Sequence, residues 1–367
     1  MDRNFEFKQE LPVVNRRKTR KVVLPKPYNL SFGSGSAIVI QSMNNADTND
    51  IGASLEQIQR LKEAGCDLTR VAIKDKEAAR SLKYLLKKSP LPIVADIHFD
   101  ARLALEALEV GCPKIRINPG NIRLDRLKEI ANLAKSNGSV IRVGVNSGSI
   151  RPSLKREYGA FSSTALALSA LEASQMLESV GFEDIVLSMK SSDPLVTIRA
   201  YRYVAERTDY PLHLGVTEAG TLSEGVIRSA IGIGTLLADG IGDTIRVSLT
   251  ADPVEEIRAA KSILKSLHLI DGAELISCPT CGRTEVNLEK LALRVEKRLE
   301  NINRPLRIAV MGCRVNGPGE AQDCDFGIAG GKDEYILFAK GKVIGKVSEE
   351  LAEDRLMDLI NEYLHEQ

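Results

Sequence analysis

The chain has 367 residues, more than one ordinary core accommodates, which points to two domains or to one large barrel with an appendage. Lys plus Arg number 50 and Asp plus Glu 49, and a net charge of +1 gives no global case for nucleic acid or an acidic membrane surface as partner. The first stretch has no apolar signal core, and the longest nearly uncharged run, Ser229 to Ala238, is too short to span a bilayer, so a soluble, cytoplasmic protein is expected.

Residues 1–36 form a basic lead-in, with RRKTR at Arg16 to Arg20 followed by KVVLPKPYNLSFGSG. The Pro and Gly punctuation predicts a short strand or hairpin packed on the next domain, and the basic run reads as a solvated face. From Ala37 a rhythm sets in: a short β-branched apolar run, a polar turn, an amphipathic helical stretch, then another run. The runs are AIVIQSM (37–43), LTRVAI (68–73), PIVADIH (92–98), KIRINPG (114–120), VIRVGVN (140–146), DIVLSMK (184–190), LHLGVTEAG (212–220) and TIRVSLT (244–250). Several intervening helices end in Gly. Eight such units predict an α/β fold whose N-terminal part, 37–270, is a (β/α)8 barrel of the TIM type. No G-x-G-x-x-G follows the first strand, which argues against a dinucleotide fold. The remainder, 271–367, predicts a smaller α+β unit with a helix from about Asn287 to Ile302, a strand at LRIAVMG, a strand pair around DFGIAGG and EYILFAKGKVIGKV, and a closing helix from Glu349 to Glu366.

Barrel enzymes place their chemistry at the C-terminal ends of the strands. Here those ends are unusually polar. Alternation puts Arg116 with Asn118, Arg142 with Asn146, Ser188 with Lys190, and Arg246 with Ser248 on common faces. Arg70 holds a comparable place on the second strand, Asp96 and His98 close the third, and Glu218 closes the seventh. Four arginines and a lysine converging from different strands call for an anion, so a phosphorylated or diphosphorylated small substrate is expected. Glu218, a carboxylate among cations, suits a base or proton relay, and equally suits neutralising an arginine. His98 taken alone, and His213, read as hydrogen-bonded structural histidines.

Six cysteines are too few for a disulfide scaffold. Cys66 and Cys112, each just before a strand, read as small buried hydrophobes. Cys278 and Cys281 form a C-x-x-C pair in CPTCGRTE, and Cys313 follows in MGCRVNGPGE, with Glu320 seven residues on. Three thiolates and a carboxylate read as an iron-sulfur site with one exchangeable oxygen ligand. The competing reading is a structural zinc completed by Cys324, behind a barrel transferase or synthase acting on a phosphorylated substrate.

SCPTCGR, MGCRVNGPGE, IVIQSMNN, RINPGN, RVGVNSGS and HLGVTEAG together resemble the bacterial 4-hydroxy-3-methylbut-2-enyl diphosphate synthase family, from about Arg16 to the C-terminus. The resemblance implies an iron-sulfur oxidoreductase of the methylerythritol phosphate route to isoprenoids. It implies a [4Fe-4S] cluster on Cys278, Cys281, Cys313 and Glu320, barrel cations gripping a cyclic diphosphate, Glu218 as acid-base group, and flavodoxin or ferredoxin as electron donor. A helix of about 16 residues after the eighth strand carries the chain roughly 24 Å back toward the far end of the barrel. The cluster domain therefore starts away from its own barrel mouth, which predicts a head-to-tail homodimer with the active site shared between chains. The resemblance implies the same arrangement.

Overall fold

The computed structural model of the chain describes residues 14–97, 100–300, 302–313, 323–331 and 334–365. It divides into two compact units, 1–269 and 270–367.

In the first unit, Val22–Val23 (β1) and Ser31–Phe32 (β2) pair as an antiparallel hairpin. Eight strands follow: Val39–Met43 (β3), Leu68–Ala72 (β4), Ile93–Asp96 (β5), Lys114–Ile117 (β6), Val140–Asn146 (β7), Ile185–Lys190 (β8), His213–Leu214 (β9) and Thr244–Ile245 (β10). Their order is β8-β7-β6-β5-β4-β3-β10-β9, every pair parallel. A parallel bridge from Leu187 to Leu212 joins the two ends of the sheet, so the predicted (β/α)8 barrel is present. Strands buried on both faces read as continuous apolar runs, which is why the rhythm was so plain.

The helices begin where the sequence offers a capping carboxylate. Asp50, Asp75, Asp100, Asp193 and Asp252 each accept a backbone N–H from the first turn of the helix they precede. Two of the apolar runs overstate their strands: β9 and β10 have two residues each, against expectations of 212–220 and 244–250. The chain leaves the ladder because its backbone groups find other partners there. Leu249 N–H, for example, donates to the Glu256 carboxylate at 3.1 Å.

The lower end of the barrel is plugged by the hairpin, whose Val22, Leu24 and Phe32 pack against Val39, Leu68, Val94, Val140 and Val186 from five strands. The RRKTR run is not a solvated face. Arg16 reaches Asp243 at 3.0 Å, Arg17 donates to the carbonyls of Ala205, Thr208 and Tyr210, and Arg20 pairs with Asp209 at 2.6 Å. Loop carbonyls left over at the strand entrances supply the acceptors that make this strap.

The second unit is a five-stranded sheet in the order Ala273–Ser277 (β11), Leu306–Met311 (β12), Phe326–Gly331 (β13), Glu334–Ala339 (β14) and Lys342–Val347 (β15). The first three strands are parallel and the last two pair antiparallel. Helices Leu288–Leu299 and Glu349–His365 cover one face, burying Leu291, Val295, Leu356 and Ile360 against Ile308, Val310 and Ile328. β11 was not expected: it is an edge strand, half-exposed, with too little apolar alternation to announce itself. Among the described residues no helix is long and apolar enough to cross a membrane.

Candidate active site

The C-terminal ends of the barrel strands enclose a polar pocket. Arg70 comes from β4, Asp96 from β5, Arg116 from β6, Arg142 and Asn146 from β7, Ser188 and Lys190 from β8, with Thr217, Arg246 and Ser248 from the segments beyond β9 and β10. Strand register sets their order. Asp96 lies opposite Arg116, Arg116 opposite Arg142, and Asn146 opposite Lys190, so neighbouring strands present these groups side by side.

Five cations meet two buried carboxylates at this end. Asp96, 3% exposed, stands 3.6 Å from Arg70 Nε and 3.2 Å from Arg116 Nη1. Glu256, also 3% exposed, takes Arg246 Nη2 at 3.1 Å. Arg142 has no such partner: it is 1% exposed, and its Nε and Nη1 are buried without a hydrogen bond among the described residues. Burial, reinforced by Arg70 and Arg116, pushes the Arg142 guanidinium well below its ordinary range, and burial brings Arg70 down to about 10. A guanidinium does not give up its proton under such pressure.

Lys190 is the softer cation. Its Nζ lies 3.3 Å from His213 Nε2, and His213 Nδ1 lies 2.5 Å from Thr244 Oγ1. Burial first, then the surrounding arginines, push the lysine well below its ordinary range. Burial and Lys190 do the same to His213, which is neutral. The structural reading of His213 thus gains a definite partner in the pocket. Two glycines make room for these cations. A Cβ on Gly144 would sit 2.2 Å from Arg116 Nε, and one on Gly215 would sit 2.5 Å from Lys190 Nζ.

Other expected residues fall around this centre. Asn118 is turned away, its side chain accepting Gly120 N–H at 3.1 Å in the turn after β6. Glu218 follows pocket-lining Thr217, is exposed, and makes no hydrogen bond or ion pair with a described residue. Its backbone has φ +52°, a left-handed conformation rare for a residue with a side chain and often found where function holds it in place. His98 lies outside the described residues. Sequence reasoning missed Glu256, Thr217 and the two glycine seats. The acidic first turn of DPVEEIR, directly after the last barrel strand, was the available signal for Glu256.

The second unit brings Cys278 and Cys313 to the C-terminal ends of β11 and β12, whereas Cys324 precedes β13, at the other end of the sheet. Cys278 directly follows β11, and Cys313 lies two residues past β12, the adjacent parallel strand. Gly312 N–H donates to Cys278 Sγ at 3.2 Å, Glu285 N–H donates to the Gly312 carbonyl at 3.1 Å, and Cys281 N–H donates to Thr284 Oγ1 at 3.0 Å. These bonds hold the C-x-x-C loop against the residue preceding Cys313. The Arg283 backbone N–H favours the Cys281 thiolate and lowers its pKa from the ordinary value. All six cysteines are free. Cys324 is buried with Ala309, Met311, Ala329 and Phe338, and burial pushes its thiol up, the setting of a core side chain rather than a thiolate ligand. Cys66 and Cys112 are core side chains too, pushed up by burial to about 12 and about 11. Among the described residues no three Cys, His, Asp or Glu side chains are grouped as a metal centre, and Glu320 lies outside them.

Two family models match. One described as the GcpE TIM-barrel domain covers residues 20–261, and one described as the GcpE protein C-terminal domain covers 274–362. A protein of Caldanaerobacter subterraneus subsp. tengcongensis is 51% identical over 354 residues, 96% of this chain and 99% of its own. One from Clostridium acetobutylicum is 52% identical over 94% of this chain and 98% of its own. Both are named 4-hydroxy-3-methylbut-2-en-1-yl diphosphate synthase (flavodoxin). A solved dihydropteroate synthase from Coxiella burnetii is similar at 13% identity and a TM-score of 0.46, over 67% of this chain and 97% of its own.

Proposed function

The chain belongs to the GcpE family, and on that premise we infer that it carries out the reaction for which its relatives are named, as an iron-sulfur oxidoreductase. It opens and dehydrates 2-C-methyl-D-erythritol 2,4-cyclodiphosphate reductively to 4-hydroxy-3-methylbut-2-enyl diphosphate, in isoprenoid precursor synthesis. The observation that carries the barrel's share is Arg142, whose Nε and Nη1 are buried without a hydrogen bond and which makes no ion pair among the described residues, beside four further cations and the carboxylates of Asp96 and Glu256. A diphosphate brings the missing negative charge and the missing hydrogen-bond acceptors.

Arg142 grips that diphosphate first, and Arg116, Arg70 and Arg246 add to the hold while Asp96 and Glu256 keep their forks oriented. Lys190 contributes a point charge. Asn146, Ser188 and Ser248 supply neutral hydrogen bonds that fix the ring. Glu218 stands apart from these groups because its carboxylate makes no ion pair with a described residue. It therefore remains available to hold the proton that leaves with the substrate hydroxyl as water.

The donors of the second unit suit a [4Fe-4S] cluster: free thiols, a loop fixed by its own backbone, and N–H groups that favour sulfur as an anion. Cys278, Cys281 and Cys313 would hold it, with Glu320, placed by sequence alone, as the exchangeable oxygen ligand. When bound, the cluster supplies two electrons in single steps, drawn from flavodoxin or, in an alternative pairing, ferredoxin. In the first unit, the helix Pro253–Ser266 begins beside Arg246, which Glu256 contacts, and ends beyond Lys261, whose side chain lies over Gly65 just before β4. The chain thus leaves the barrel from the end opposite the pocket. That exit supports a head-to-tail homodimer in which each cluster serves the partner's barrel.

The test is a kinetic split measured with the cyclodiphosphate. Arg142→Met is expected to raise KM about 100-fold with a smaller change in kcat, whereas Glu218→Gln lowers kcat by about 100-fold and leaves substrate binding intact. Equal loss of binding in both variants would reduce Glu218 to a counter-ion.

A further inference from the structure

Glu256 is in none of the strands that build the pocket, yet its carboxylate is heavily hydrogen-bonded at the pocket's edge. It lies in the first turn of the helix Pro253–Ser266 and is 3% exposed. Four donors converge on its two oxygens. Oε1 accepts Arg246 Nη2 at 3.1 Å and Leu249 N–H at 3.1 Å, while Oε2 accepts Ser42 Oγ at 2.8 Å and the more distant Arg246 Nε at 3.4 Å. Ser42 comes from β3 and is fully buried, so the carboxylate is fixed from the barrel wall as well as from its own helix.

This pairing is side-on. A guanidinium has five N–H bonds arranged as a fork, and a carboxylate using Nε and Nη2 leaves Nη1 free. Arg246 Nη1 has no acceptor among the described residues, and Arg246 lines the pocket. Its neighbours there include Arg70, Arg116, Arg142 and Lys190, all cations that repel it. Without a carboxylate behind it, Arg246 would lower its energy by swinging out toward water. The Leu249 bond adds a second constraint, because it pins the backbone between Arg246 and the capping Asp252, the same stretch that carries pocket-lining Ser248.

We propose that Glu256 is a positioning residue for the anion site: it holds Arg246 edge-on to the pocket, without touching the substrate itself. The inference rests on the diphosphate reading of the pocket and adds to it the group that keeps one of the cations in place. Glu256 therefore acts through Arg246, and its effect disappears when Arg246 is gone.

The experiment measures binding of inorganic pyrophosphate to the full chain by calorimetry, alongside KM and kcat for the cyclodiphosphate, in wild type, Glu256→Gln, Arg246→Met and the double variant. Glu256→Gln is expected to weaken pyrophosphate binding and raise KM about tenfold, with kcat changed less than about twofold. In the Arg246→Met background the same change is expected to alter either constant by less than about twofold, because coupled residues are non-additive. Glu256→Asp, which keeps the charge and withdraws it by one methylene, restores part of the loss and takes the place of Glu256→Gln where that variant melts early. Unchanged binding in Glu256→Gln overturns the proposal, as does an equal loss with and without Arg246. Weakened pyrophosphate binding in a chain that does not turn over the cyclodiphosphate sustains the positioning role and sinks only the assigned reaction.

Discussion

Lys190 shows most directly what a single side chain in this pocket has to do. Its ammonium is disfavoured by burial and by Arg142, Arg246, Arg70 and Arg116, and among the described residues its hydrogen-bond partner is His213. A diphosphate reverses that balance, so the lysine has a higher pKa in the complex than in the free protein. Affinity is then full below the free-state pKa and falls as pH rises through the gap between the two values. Within that gap, binding takes up a proton, which calorimetry in two buffers of different ionisation enthalpy detects. Lys190→Met is expected to abolish the uptake, and uptake persisting in that variant would assign it elsewhere. Lys114 is the opposite case. It is fully buried, has no hydrogen-bond partner among the described residues, and stands 3.9 Å over the Phe32 ring at the plugged end. Burial and Arg142 push its amine well below the ordinary 10.5, so the unfolded chain binds the extra proton and stability rises with pH up to that value. Lys114→Met is therefore expected to stabilise the barrel at neutral pH by about 2 kcal/mol in urea unfolding, with the gain shrinking toward pH 10.5. A loss of stability at neutral pH would show that Lys114 has a partner in solution. The cations of the pocket were legible in the sequence because strand alternation exposes them. Glu256 was not, since its role depends on a helix turn folding back against β3, a contact between residues over 200 apart in the chain.

At the scale of elements, the barrel was readable because every strand is buried on both faces, and each helix announces itself by a capping carboxylate or a terminal glycine. What was not readable is where a strand stops. The run 212–220 mixes apolar residues with His213, Thr217 and Glu218, and β9 ends at Leu214, just before Gly215, whose missing side chain leaves room for Lys190. Gly144→Ala and Gly215→Ala probe these seats. Each adds a methyl group where a cation now lies and is expected to raise KM about tenfold; Gly215→Ala also meets the Arg246 carbonyl at 2.6 Å and is expected to lower the melting temperature as well, so Gly144→Ala is the cleaner probe. A melting loss without a KM change would make them ordinary packing glycines. The N-terminal strap was misread as solvated because a basic run gives no sign of which carbonyls it will meet. Arg17→Ala removes donors to the carbonyls of Ala205, Thr208 and Tyr210 and is expected to cost about 2 kcal/mol of barrel stability, read by urea unfolding. An unchanged midpoint would return the strap to the solvent-exposed reading.

For the whole molecule, the division of labour is between a barrel unit that holds an anion and a second unit that offers thiolates. Both family models match, one to each unit. The shared-site homodimer is tested by mixing chains: a Cys313→Ser chain and a Glu218→Gln chain, each inactive alone, are expected to regain about half of one active-site pair when subunits exchange. Mixtures that stay inactive while exchange is demonstrated would restrict each site to one chain. The thiolate half of the account is decided by anaerobic reconstitution with iron and sulfide, followed by assay of the cyclodiphosphate with reduced flavodoxin. About four irons and four sulfides per chain, and turnover that depends on the reductant, are the predicted result. A colourless protein that holds zinc and shows no reductant-dependent turnover would contradict it.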